Sequence, residues 1–171
     1  MEDLRLIINY IFEKARDIGV DVGITRLMKL LYLLDVEYYR EKGKRATSLR
    51  WLFYRFGPFA FELEKELGSM GFSVGEEVLE NGRRFKGISR EEWAREVKVI
   101  PWGVEIVLKR ILNKWLDEDL NKLLDHVYFE TEPMLHAARM EELDFSTIKP
   151  LEEEIPVEVL VDAQKLRSIR R

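Results

Sequence analysis

The chain has 171 residues, 46% hydrophobic and 35% charged, with 28 basic and 32 acidic side chains and a net charge of −4. Such a length and composition predict one globular domain with a real core and exclude a disordered chain. The absence of cysteine excludes disulfides, thiolate metal sites and a cysteine nucleophile, and the acidic balance argues against a dedicated nucleic-acid binder.

Leu4, Ile7, Ile8, Ile11, Phe12 and Ala15 recur at three and four, with Arg5, Asn9, Glu13 and Arg16 on the other face. That spacing predicts a first helix, which Gly19 is placed to end. Polar interruptions make the same stretch unsuitable as a signal peptide or membrane span, so a cytoplasmic protein with no membrane partner is expected. A second helix is predicted from about Thr25 to Lys42, closed by Gly43. Its first half, Leu27-Met28-Lys29-Leu30-Leu31-Tyr32-Leu33-Leu34, is apolar nearly all round, as a central, enclosed helix must be.

Thr47 to Phe56 is rich in β-branched and aromatic residues and alternates like a strand. Gly57-Pro58 is expected to break it, with Pro58 in the first turn of a helix that carries Phe59, Leu63, Leu67 and Met70 and stops at Gly71. Glu76 to Ile88 reads as a β-hairpin about Asn81-Gly82, a pair suited to a type I′ turn, with Val78 opposite Phe85 or its neighbours. Strand, helix and hairpin together resemble a winged-helix arrangement with Asn81-Gly82 at the wing tip.

Val104, Val107, Leu108, Ile111, Leu112 and Trp115 predict another amphipathic helix, with Glu105 and Lys109 as an exposed pair. Asp119 can cap a following helix through Tyr128, and Pro133 can start one more turn, to about Met140. Val157, Val159 and Val161 alternate and fit one added strand, and Lys165 to Arg171 form a basic, frayed tail. The predicted fold is therefore mainly α with a small antiparallel β-sheet (α+β). It is a helical domain over residues 1–150 around a central buried helix, with a winged-helix-like strand–helix–hairpin element and a C-terminal segment, 151–171. One Gln, no Cys and many Lys, Glu and Arg residues fit a heat-adapted host.

No catalytic constellation is legible, and no cofactor or metal is expected. The two histidines, His126 and His136, stand ten apart, whereas helical metal motifs space ligands by three to five. Asp35 sits where the central helix leaves the core, a position for a buried hydrogen bond or an ion pair with Lys29 or an arginine. Glycine-rich phosphate loops, nucleophile elbows and dinucleotide fingerprints are missing. A non-enzymatic, binding role is the expectation.

Three segments carry a family resemblance. Leu27 to Asp35 resembles the Leu-x-Lys-Leu-Leu-Tyr core of the Panacea antitoxin family, also called SocA-like or phage-associated-protein domains. Tyr54-Arg55-Phe56-Gly57-Pro58-Phe59 is similar to its Tyr-x-x-Gly-Pro signature, and Val127-Tyr128-Phe129-Glu130-Thr131-Glu132-Pro133-Met134 to its late Tyr-x-x-x-x-Pro segment. The resemblance spans about residues 5–140. It implies a mainly helical fold with a small sheet, and a toxin-like partner protein neutralised by direct contact or by delivery to a protease.

Trp51, Tyr54, Gly57, Pro58 and Phe59 are the candidate partner-binding residues. Gly57-Pro58 would shape a turn, and the aromatics would serve as anchors if partly exposed. Trp102 and Trp115 are further candidates, Trp115 more in keeping with a core position. The alternative is a DNA-binding regulator that tracks phosphates with Arg83, Arg84 and Lys86, although Glu62, Glu64 and Glu66 on the adjoining helix would repel them. A homodimer stays open.

Overall fold

The computed structural model describes residues 2–78, 84–90 and 99–151. Helix α1 (Glu2–Asp17) is followed by α2 (Ile24–Lys42), a tight hairpin of β1 (Leu52–Tyr54) and β2 (Gly57–Phe59), and α3 (Leu63–Ser69). A longer hairpin, β3 (Phe72–Val78) and β4 (Arg84–Arg90), leads to α4 (Trp102–Trp115), α5 (Leu120–Glu130) and α6 (Glu132–His136). The protein is thus mostly helical with two small antiparallel sheets of two strands each among the described residues. None of the helices in those residues is long and apolar enough to cross a membrane.

Helix α2 is the axis of the packing. Residues 27 to 36 are all buried, so its apolar circumference is satisfied on every side, and α4, α5, β2 and β4 all contact it. Ile7, Ile8 and Ile11 of α1 join the same hydrophobic cluster, where Phe12 stacks on Phe72 at 5.0 Å. Leu30, Leu31 and Leu63 are fully enclosed, as their motif positions implied. Gly43 ends α2 with a φ of 66°, the left-handed conformation that only glycine adopts without penalty.

Two expectations need correction. Gly57-Pro58 does not start a helix: both residues lie in β2, where Tyr54 pairs with Gly57 and Phe53 with Pro58. The chain reverses over Arg55-Phe56 because Gly57 takes a φ of 92°. Proline is tolerated in β2 because it is an edge strand with no ladder bond to donate outward. The helix after it begins only at Leu63. Likewise, α6 stops at His136, and Met140 to Leu143 run beside β1 instead. There Phe53 N donates to Glu141 O, Met140 N to Phe53 O and Leu143 N to Trp51 O, at 2.7–2.9 Å. Those bonds occupy the free edge of β1.

Strand, helix and hairpin follow in the expected order, but β1 pairs with β2 and not with the long hairpin. That hairpin is longer than predicted, and Val78 lies opposite Arg84. Asn81-Gly82, the strand proposed at 157–161 and the tail from 165 lie outside the described residues.

Candidate functional site

The three motif segments, far apart in sequence, meet at the β1–β2 hairpin. From α2, Lys29 Nζ donates to Pro58 O at 2.8 Å, and Met28 Sδ accepts from Ala60 N at 3.4 Å. From α5, the Tyr128 ring covers Gly57 so closely that a Cβ there would stand 3.2 Å from its Cε2. Tyr128 also packs edge-on to Phe53, with ring centroids 6.0 Å apart. The first and last motifs join directly, since Tyr32 and Thr131 share a hydrogen bond of 2.9 Å between their hydroxyls.

These contacts explain the residue types. Gly57 is needed for its backbone angle and for the ring above it. Lys29, only 2% exposed, has no carboxylate within ion-pair distance among the described residues, and burial lowers its pKa to about 7. A backbone carbonyl is its hydrogen-bond acceptor. Of the two roles expected for Asp35 it takes the buried hydrogen bond, and among the described residues it makes no ion pair with Lys29 or an arginine. Its carboxylate accepts from Thr47 N, Thr47 Oγ1 and Trp51 Nε1, and burial pushes it up to about 6.

Trp51 is accordingly not a surface anchor. It is 1% exposed, fixed by Asp35 at its nitrogen and by the Tyr32 ring at its edge. Gly57 and Pro58 are buried as well, while Tyr54 and Phe59 are half-buried. Around the hairpin, two open aromatics are ones that the sequence did not single out. Phe56, at the hairpin tip, is 71% exposed, and Phe61 is 52% exposed. Phe61 packs on Phe59 and Tyr54 with centroids 4.8 and 5.2 Å apart, which makes a continuous aromatic ledge. No local signal marked them: Phe56 lies in the reversal after β1 and Phe61 in the turn before α3.

Beside the ledge lies a groove of about 720 Å³. Its walls are the start of α2 (Gly23, Ile24), Tyr54, Phe56 and Phe59 from the hairpin, and Leu120 from α5, with Lys29 between them.

The remaining candidates disperse. Lys86 is exposed and bound to Glu64 at 3.0 Å, Arg84 is described only as backbone in β4, and Arg83 lies outside the described residues. Trp115 is in the core and stacks on His126, whereas Trp102 is exposed. His126 pairs with Glu130, and His136 Nδ1 donates to the Glu132 carbonyl. No cluster of three metal-ligating side chains occurs among the described residues.

No curated protein and no solved structure significantly matches the chain. A family model does: the antitoxin SocA-like, Panacea domain matches residues 27–143. That span begins within the first turn of the central helix and ends with the residues that close the edge of β1, so it contains all three converging motifs and well over half of the sequence. The chain belongs to the SocA-like antitoxin, Panacea-domain family.

Proposed function

We propose that this protein is a non-catalytic binding module that neutralises or escorts a toxin-like partner protein. Membership in an antitoxin-like family carries the reading. The aromatic ledge of Tyr54, Phe59 and Phe61, with exposed Phe56 at the hairpin tip, supports it, since exposed aromatic clusters are the usual energetic centres of protein interfaces. The family motifs supply the frame: Lys29, Gly57 and Tyr128 hold the hairpin on which the ledge is mounted.

The test is co-expression of the tagged full chain with the product of the neighbouring gene in its native host. A complex that persists in high salt, together with relief of growth arrest caused by the neighbour alone, is the expected result. Nucleic acid retained only in low salt, and lost when Arg83 and Arg84 become Ala, would replace this reading with a DNA-binding one.

A further inference from the structure

The groove combines three features that each favour a negatively charged, partly apolar occupant. First, Lys29 is one of its lining residues, and the buried Lys29 nitrogen just beneath the floor donates to a neutral carbonyl, with no carboxylate in ion-pair distance among the described residues. A buried cation of this kind gains most from an anion brought to it. Second, the N-terminal turn of the 19-residue α2 forms one wall. No side chain caps it and no acidic residue stands in its first turn, so its unpaired N–H groups and dipole add positive potential. Third, the charged residues lining the groove are Arg26, Lys29, Arg55 and Lys86 against Asp21 and Glu64, a local positive excess on a chain of net charge −4. Glu64 is already committed to Lys86, and Arg26 donates to the Trp115 carbonyl.

The volume, about 720 Å³, suits a few side chains of a bound segment. The aromatic surface does not stop at the groove: Phe61 continues it outward, beyond what a small anion would cover. A peptide segment uses both parts.

Resting on the binding role proposed above, we infer that this groove receives an extended segment of the partner protein, whose Asp or Glu carboxylate seats against Lys29 while a neighbouring apolar side chain packs on Tyr54, Phe56 and Phe59. Lys29 and the α2 turn read the charge, and the hairpin aromatics read the flanking residue.

Selection of a random displayed-peptide library on the full-length protein tests this. Recovered peptides are expected to share an acidic residue beside an aromatic or branched one. Synthetic copies should lose at least about tenfold in affinity when that acid becomes its amide, and similarly on Lys29→Met. Phe56→Ala changes an exposed side chain, so it keeps the test valid if Lys29→Met unfolds, and it should weaken binding at least about fivefold. Lys122→Ala, on α5, is expected to change nothing.

Peptides of neutral sequence, or acidic peptides that bind Lys29→Met and Phe56→Ala as well as the parent, would overturn the inference. So would a dimer that Phe56→Ala converts to monomer, since the occupant would then be a second copy. The two readings fail separately. A host partner retained by both variants leaves the binding role standing and removes the groove. Peptide binding that needs Lys29 and Phe56, with no relief of toxicity by the full chain, supports the groove and removes the neutralising role.

Discussion

Trp51 Nε1 donates to Asp35 Oδ2 at 2.8 Å, in a place where neither side chain reaches solvent. Thr47 adds two more donors to the same carboxylate, at 2.7 and 2.6 Å. This triangle links the exit of α2 to the approach of β1. Asp35→Asn would turn an N–H toward groups that donate, leaving a buried donor unpaired. A loss of about 1–3 kcal/mol in urea denaturation is expected, and a variant as stable as its parent would refute the role.

The Lys29 ammonium predicts an alkaline gain in stability. Its folded pKa, about 7, lies below the ordinary 10.5, so the unfolded chain binds more protons between those values. Stability should therefore rise with pH across that window, by about 1–3 kcal/mol from pH 7 to 9.5. Lys29→Met should flatten the slope, and unchanged slopes would assign the effect elsewhere.

Gly57→Ala should lower stability by about 1–3 kcal/mol, because its φ of 92° and the Tyr128 ring both oppose a Cβ. The two causes separate in a double variant. In a Tyr128→Leu background the steric part disappears and the backbone part stays, so thermal melts should show a smaller but nonzero loss.

Arg40 and Glu132 predict acid sensitivity. Arg40 holds both carboxylate oxygens, at 2.6 and 2.7 Å, and that hydrogen bonding lowers Glu132 to about 2 from its usual 4.5. A depressed carboxylate stabilises above the unfolded value, and the benefit fades as pH falls through 4.5 toward 2. Glu132→Gln should be less stable at neutral pH and lose less on acidification. Parallel acid titrations followed by circular dichroism would check this.

The long periodic helices were legible in the sequence because their apolar residues repeat at helical spacing, and Gly43, Asp119 and the Glu105–Lys109 pair marked their ends and exposed faces correctly. The hairpin at the site was harder. Gly57-Pro58 looks locally like a helix start, yet a φ of 92° and pairing with Tyr54 and Phe53 place it in a strand, covered by Tyr128 from far along the chain. Met140 to Leu143 carry Glu141 and Glu142, so no apolar alternation announced their pairing with β1. Lys29 could be placed in the central helix, but its acceptor, Pro58 O, depends on tertiary packing. For the same reason Trp51, expected as a partly exposed anchor, is buried, while Phe56, for which no exposure was expected, stands open.

The edge of β1 has a history during synthesis. Its partners at 140–143 leave the ribosome about ninety residues later, roughly 5–20 s at usual elongation rates. Throughout that interval the backbone groups of Trp51 and Phe53 lack the partners they have in the folded protein. Until they arrive, water must satisfy backbone groups that the finished protein pairs internally.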